Sequence, residues 1–201
     1  MNVVGVNGSG RTGGNTSVLV RAVLEGAREA GAQTAFFELA DFNIAGCRAC
    51  DACRTGKATH RCVVKDDMQK FYGLAAETDV WVLGSPIYLD HITAQMMAFI
   101  QRTYCYIGPT LENYWPRRNV RTVLAITYEA RDPDQYDTVL DWMEKRMKGY
   151  HQIPTVARFK VNGTRVSPII DTTHPEVQRA QAFGRSLQGP RSPRRQTAGP
   201  Q

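Results

Sequence analysis

Short apolar runs alternate along the chain with segments whose apolar residues recur at helical spacing, and this alternation constrains the fold more than any other feature. The runs predict five strands, at residues 2–6, 34–39, 79–86, 120–127 and 154–161. The periodic segments predict five helices, at residues 16–31, 66–77, 92–104, 135–150 and 174–187. Alternating strands and helices form parallel sheets covered on both sides. The sequence therefore predicts an α/β fold: a doubly wound, five-stranded parallel sheet with helices on both faces.

Length and charge indicate one domain with a basic tail. The chain has 201 residues, 42% of them hydrophobic, which suffices for one buried core. We predict a single domain over residues 1–188, with a cysteine-rich insertion at residues 46–62. The net charge is +6, but four arginines lie in residues 185–201, so the rest of the chain carries only +2. Residues 189–201 are rich in Pro, Gly, Ser and Arg and are predicted to be a disordered tail.

The same composition argues against several classes of partner. A body that is nearly balanced in charge does not favour nucleic acid. No apolar run approaches the ~18 residues of a membrane span, and the first predicted strand begins almost at Met1, leaving no room for a signal peptide. We therefore expect a cytoplasmic protein without a membrane partner, in which disulfide bonds between the clustered cysteines are not expected.

Three loops are predicted to form a binding site, because open parallel sheets bind ligands beyond the carboxyl ends of their strands. These loops are residues 7–16, 85–91 and 127–134. The first reads "NGSGRTGGNTS". It satisfies G-x-G-x-x-G, with Glu38 as a possible ribose ligand, but it lacks the lysine of a P-loop. Its hydroxyl and amide side chains and Arg11 suit a phosphate monoester such as that of FMN. The alternative is an ordinary glycine-rich connector capped by Asn15 or Thr16.

Three motifs carry a family resemblance over roughly the first half of the chain. "GSGRTGGNTS", "CVVKDDM" and "GSPIYLDHITAQMMAFIQR" resemble the flavodoxin-like NAD(P)H-dependent FMN reductases, and among them the iron-sulfur flavoproteins. The resemblance implies a flavodoxin-like fold with FMN as cofactor. It places Ser9, Arg11, Asn15 and Thr16 at the FMN phosphate and Pro86, Ile87 and Tyr88 beside the isoalloxazine ring. Gly14, Ser85 and Thr127 complete the predicted cofactor-binding set.

The third loop departs from the family pattern because it lacks the glycines often found there. A carboxylate at Glu129 near the ring would also oppose the negative charge of a reduced flavin and lower its potential.

The segment "GCRACDACRTGKATHRC", residues 46–62, holds four of the five cysteines. Cys47, Cys50 and Cys53 have the x2 spacing that supplies three thiolates to a 4Fe-4S cluster, and Cys62 provides a fourth in the context that the resembled family uses. Eight residues separate Cys53 from Cys62, which is longer than the compact spacing of that family. Zinc, with His60 replacing one thiolate, and no metal at all remain alternatives. Cys105 is predicted to be a small buried apolar residue.

These observations predict an FMN-dependent oxidoreductase that passes electrons from NAD(P)H to a small acceptor such as a quinone or a flavin. The flavin performs the chemistry, so no side chain is nominated as catalytic. The resemblance further implies a homodimer or a dimer of dimers. Two alternatives stay open: an FMN-binding electron carrier that serves partner proteins, and a cysteine-based redox or metal sensor on a flavodoxin scaffold.

Overall fold

In a computed structural model, residues 1–55, 60–165 and 170–187 are described. The strands are β1 (Asn2–Asn7), β2 (Gln33–Glu38), β3 (Val80–Tyr88), β4 (His91–Ile92), β5 (Arg121–Thr127) and β6 (Thr155–Val161). The helices are α1 (Asn15–Glu29), α2 (Ala52–Thr55), α3 (Met68–Ala75), α4 (Ala94–Arg102), α5 (Asp137–His151) and α6 (Pro175–Ser186). Short 3₁₀ turns follow β2, at Leu39–Asp41, and α4, at Thr103–Tyr106.

Five of the strands form a parallel sheet in the order β2-β1-β3-β5-β6. The two-residue β4 folds back antiparallel onto the end of β3, pairing His91 with Tyr88. This is a doubly wound order: β2 lies on one side of β1, and from β3 onward the strands are added on the other side. The predicted fold class is confirmed, and the predicted bounds of the five parallel strands agree with the structure to within two residues.

Helices cover both faces of the sheet and divide the core into two layers. The layer under α3, α4 and α5 includes Phe71, Phe99 and Met143, whereas the layer under α1 and α6 includes Leu19 and Ala180. β3 lies between them, and its first seven residues are buried. A strand buried on both faces reads as a continuous apolar run, which is why "DVWVLGSP" predicts a central strand.

The helices α3 and α4 each begin two residues later than predicted, and in each a side chain binds an N–H group of the first turn. The Oδ1 of Asp66 accepts the N–H of Met68 at 3.1 Å, so α3 begins after the two aspartates rather than on them. Ile92 belongs to β4, so α4 begins only after Thr93. The hydroxyl of Thr93 caps this helix by accepting the N–H of Met96. No helix of the described residues is long and apolar enough to cross a bilayer. The predicted tail, residues 189–201, lies outside the described residues.

Candidate functional site

A cavity of about 180 Å³ lies at the carboxyl edge of the sheet, where β1, β3, β5 and β6 end. Nine of the ten predicted cofactor-binding residues line it. They are Ser9, Arg11, Gly14, Asn15, Thr16, Pro86, Ile87, Tyr88 and Thr127. Tyr128, Glu129, Thr164 and Arg165 complete the lining.

The loop between β1 and α1 is held in place by a buried carboxylate, Glu38, at the end of β2. Its oxygens accept the side-chain amide of Asn7 at 2.5 Å, the hydroxyl of Ser17 at 2.8 Å and the N–H of Gly13 at 3.2 Å. Glu38 is only 5% exposed. The carboxylate of Glu38 therefore fixes the loop from the protein interior, and it is not exposed where it could bind a ribose.

The N-terminus of α1 faces the cavity without a side-chain cap. Gly14 is the N-cap residue, and no acidic side chain lies in the first turn. Asn15 does not cap the helix, because its Oδ1 accepts the N–H of Ile170 at 3.3 Å, and the hydroxyl of Thr16 lies 2.7 Å from that of Thr127. The capping by Asn15 or Thr16 that the connector alternative assumes is therefore not found. Uncapped N–H groups at a helix start, beside the exposed Arg11, fit a phosphate group.

The opposite wall of the cavity is the end of β3. Pro86 and Ile87 are held in the sheet, whereas Tyr88 is 48% exposed. Ser85, the tenth of the predicted cofactor-binding residues, does not line the cavity. It is fully buried, its hydroxyl donates to the carbonyl of Pro86 at 2.8 Å, and it accepts the N–H of Thr93 at 3.0 Å. Ser85 therefore supports the wall from behind.

The third wall combines the ends of β5 and β6. Tyr128 is buried, which raises the pKa of its phenol, and its hydroxyl donates to the carbonyl of Pro133 at 2.5 Å. Glu129 and Arg165 form an exposed ion pair at 3.4 Å. The expected negative charge of Glu129 is therefore balanced, and Arg11 and Arg165 leave the lining with a net positive charge.

Sequence reasoning missed Thr164 and Arg165. They follow the predicted fifth strand directly, so the rule that places ligands beyond the carboxyl ends of strands could have found them.

The NADPH-dependent FMN reductase family model matches residues 1–131. The chain belongs to this family. Among its relatives is an iron-sulfur flavoprotein of Methanosarcina thermophila, 33% identical over 71% of this chain and 73% of the relative. Another is an iron-sulfur flavoprotein of Methanocaldococcus jannaschii, 36% identical over 51% of this chain. The chain spans about half (52%) of the length of this second relative.

The fold of this FMN reductase family member is also that of a solved NAD(P)H:quinone oxidoreductase from Methanothermobacter marburgensis. The two structures superpose with a TM-score of 0.70 over 96% of this chain and 98% of the other, at 16% sequence identity. Agreement at this low identity concerns the fold, which is flavodoxin-like.

The described residues of the cysteine segment of this FMN reductase family member do not line the cavity. Cys47 and Cys50 are exposed, Cys53 and Cys62 are half-buried, and none of the four lines the site. Burial raises the pKa of the Cys53 thiol. Residues 56–59, between Cys53 and Cys62, are outside the described part of the chain. Within the described part, no three Cys, His, Asp or Glu side chains are gathered as a metal site. The four thiols are the donor set that a 4Fe-4S cluster takes.

Contacts made by the cysteine segment, and by the residues that flank it, hold the segment against the end of α4. Arg102 is buried and makes a bidentate ion pair with Asp66, at 2.5 and 3.1 Å, and its guanidinium also donates to the carbonyl of Ala45 at 2.9 Å. Arg54 of α2 donates to the carbonyl of Gly108 at 3.1 Å. Because α4 starts near the cavity and runs away from it, the segment is anchored at the far end of that helix. Cys105, beside this anchor, is 2% exposed, as predicted, and burial raises its pKa to about 12.

Proposed function

We propose that this chain is an FMN oxidoreductase that takes electrons from NAD(P)H and delivers them to a small acceptor such as a quinone or a flavin. The observation that carries the proposal is the uncapped N-terminus of α1, which faces the same cavity as Arg11 on one side and the end of β3 on the other. Membership of the FMN reductase family supports the cofactor, and the quinone oxidoreductase fold supports the reaction class.

Phosphate binding would fall to the loop between β1 and α1. Backbone N–H groups at the start of α1 and the positive charge of Arg11 favour an anion there. Glu38 and the contact between Thr16 and Thr127 fix the loop before any ligand arrives. Such preorganisation lowers the ordering cost of binding.

The far side of the cavity suits a flat ring. Pro86 restricts the backbone, and Ile87 and the ring of Tyr88 supply apolar surface against which a heteroaromatic can pack. When bound, FMN supplies hydride acceptance and one- or two-electron transfer. The protein's part is to orient the cofactor and to set the local charge, where the ion pair with Arg165 offsets the repulsion that Glu129 would exert on a reduced, anionic flavin.

Two substitutions test the two halves of the site separately. Arg11→Ala removes the phosphate charge and Tyr88→Ala removes the ring contact, so each is expected to weaken FMN binding about tenfold or more, as loss of a charged hydrogen bond or an aromatic contact predicts. Arg131→Ala, which removes an exposed arginine outside the cavity lining, is the control. FMN affinity is measured by fluorescence titration.

Turnover separates an enzyme from an electron carrier. FMN-loaded protein is assayed for NADH and NADPH oxidation with quinone, flavin and ferric acceptors. Turnover with a small acceptor supports the proposal, whereas FMN binding without turnover indicates the carrier. A protein that takes up no FMN contradicts both.

We include in the proposal a 4Fe-4S cluster held by Cys47, Cys50, Cys53 and Cys62. Its support is the four-thiol donor set and the iron-sulfur relatives. The thiols must move together to hold it, since they are not gathered among the described residues. Iron and acid-labile sulfide in anaerobically purified protein test this: Cys47→Ser should lower both, and Cys105→Ala should not. Iron-free wild-type protein would remove the cluster and leave the flavin site untouched.

A further inference from the structure

A second cavity, of about 760 Å³, lies at the amino edge of the sheet. It is bordered by the residues that lead into β5 and β6, including Val120 and Pro154. β5 runs from this edge to the candidate flavin cavity and has seven residues, so the two cavities are about 20 Å apart along the strand. A volume of this size is in the range of small-molecule sites.

Arginine side chains make this cavity positive. Arg117, Arg118 and Arg121 line it, and none of the described residues that line it carries a carboxylate. Asp79 holds Arg117 in place, with its Oδ1 accepting from Nε at 2.9 Å and from an Nη at 2.5 Å. Arg118 is exposed and makes no hydrogen bond or ion pair with the residues that the structure describes. Because Asp79 occupies the Nε and Nη2 of Arg117, Arg118 is the guanidinium that suits a phosphate bound in bidentate fashion.

Aromatic rings form the neighbouring wall. Trp115 is half-buried, and its ring lies edge-on to those of Trp81 and His151, with centroids at 6.4 and 5.0 Å. Tyr114 is 42% exposed and stacks on His60 with centroids at 3.6 Å. The side-chain amide of Asn113 donates to the carbonyl of His151 and its oxygen accepts the N–H of Trp115 at 2.8 Å, so this wall is rigid. Fixed aromatic surface beside arginines suits a flat heteroaromatic ring.

Two buried polar atoms on this wall lack partners among the described residues: Nε1 of Trp115 and Nδ1 of His151. The hydroxyl of Thr103 donates to the carbonyl of Ile100 at 2.7 Å, so at 2.9 Å it must accept the proton on Nε2 of His151. Nδ1 is then an acceptor and Nε1 of Trp115 a donor. Both atoms are closed to solvent, so the part of this wall that a ligand can contact is the ring surface.

We propose that this amino-edge cavity binds a purine nucleotide, with its phosphate at Arg118 and its base against Tyr114 and Trp115. The combination of a guanidinium and ring surface matches a phosphorylated heteroaromatic better than it matches inorganic phosphate or an apolar molecule. The site is separate from the flavin cavity, so occupancy of one does not require the other to be empty.

Calorimetric titration of FMN-saturated protein with AMP tests the proposal, since FMN keeps the first phosphate site occupied. Adenosine and inorganic phosphate are titrated in parallel as probes that lack the phosphate and the ring. We expect AMP to bind at one site per chain, and Arg118→Ala and Trp115→Phe each to weaken AMP binding about tenfold, the loss expected for a charged hydrogen bond or a reduced aromatic contact. Arg118 is exposed and the Trp115 change is conservative, so both variants should fold.

Arg131→Ala, an exposed arginine near the opposite edge, should leave AMP affinity unchanged. Arg11→Ala should do the same, which distinguishes this cavity from the phosphate loop of the flavin site. The proposal is overturned if AMP does not bind, if Arg118→Ala binds it as wild type does, or if AMP binding is lost in Arg11→Ala. Inorganic phosphate binding as tightly as AMP would also overturn it, because the ring contacts would then contribute nothing.

Discussion

The buried carboxylate of Glu38 accepts three hydrogen bonds, one each from β1, the following loop and α1. In Glu38→Gln, an NH₂ group replaces one of the accepting oxygens and faces the donors that this oxygen had accepted. We expect the free energy of unfolding to fall by about 2 kcal/mol, the cost of a buried donor left unpaired, and FMN affinity to fall with it because the loop loosens. Urea denaturation and FMN titration measure the two effects. Glu129→Gln, at an exposed carboxylate, should change stability by less than about 0.5 kcal/mol. Equal effects at the two positions would contradict this account of Glu38.

His151 links stability to pH. Its side chain is buried, which lowers its pKa from 6.5 to about 4. Between these two values the unfolded chain binds a proton that the folded chain does not, so stability is full above pH 6.5 and falls as the pH drops towards 4. The loss between pH 7 and pH 4.5 should be about 2.5 kcal/mol for this group.

His151→Gln should therefore reduce the pH dependence of unfolding by that amount. Urea denaturation at the two pH values provides the measurement, and His91→Gln, which removes an only partly buried histidine, should keep the wild-type slope. If the His151→Gln profile runs parallel to that of wild type, the histidine does not titrate as the structure indicates.

At the scale of elements, α1 and α6 pack unusually closely because glycines face each other. A Cβ at Gly184 would lie 2.2 Å from the carbonyl oxygen of Val23 and 2.8 Å from the backbone nitrogen of Ala27. A Cβ at Gly26 would lie 1.9 Å from the carbonyl oxygen of Gln181. These neighbours are backbone atoms, which cannot turn aside. The two helices must therefore separate if either glycine gains a side chain.

Gly184→Ala should lower the free energy of unfolding by about 3 kcal/mol, at the upper end of what overpacking costs. Gly149→Ala is the matched control, since it is also helical and a Cβ there meets nothing within 4 Å. That change should stabilise the protein by up to about 1 kcal/mol through helix propensity. Thermal unfolding of the two variants should thus move in opposite directions. A shift of the same sign in both would show that the helix contact is not tight.

The sequence predicts the helices and strands that are long enough for their apolar residues to recur at a helical or alternating spacing, or to form a continuous apolar run. The apolar runs of β1 and β3 and the amphipathic pattern of α1 are visible without any partner. β4 has two residues and α2 has four, which is too few for a pattern of apolar residues to be visible in the sequence. They depend on tertiary contacts instead: β4 on pairing with the end of β3, and α2 on Arg54 bonding to the carbonyls of Gly108 and Pro109.

For the whole molecule, topology explains what could be predicted of the sites. The flavin cavity gathers loops that all follow strands, so a rule about strand ends found most of it. Ser85 looks like its neighbours in sequence, but it is one residue too early and is buried behind the wall. The amino-edge cavity joins residues 113–121 to residues 151–154, with no motif in either stretch. The packing of Trp115 against His151 and the hydrogen bond from Asn113 to the carbonyl of His151 bring them together.

The surface beside the flavin cavity leads to an expectation about assembly. Tyr88 is 48% exposed and Leu89 is 100% exposed. Leu89 and Asp90 both have left-handed backbone, with φ of 47° and 62°, and the carboxylate of Asp90 accepts the hydroxyl of Tyr136 at 2.7 Å. A turn held in this conformation presents an apolar side chain to solvent at a cost unless something covers it. We expect a second copy of the chain to cover it.

Leu89→Asp should therefore shift a wild-type dimer or tetramer towards smaller species, because a charge would be buried without a partner. Leu111→Asp is a close control: Leu111 is also exposed, at 62%, and also has a positive φ, of 68°. Light scattering coupled to size-exclusion chromatography gives the mass of each variant. A monomeric wild-type protein, or dissociation in the Leu111 variant but not in the Leu89 variant, would mean that this turn is not the subunit contact. If instead Leu89→Asp alone dissociates the assembly, the wall formed by Tyr88 is completed at a subunit interface, and FMN affinity should depend on protein concentration in that variant.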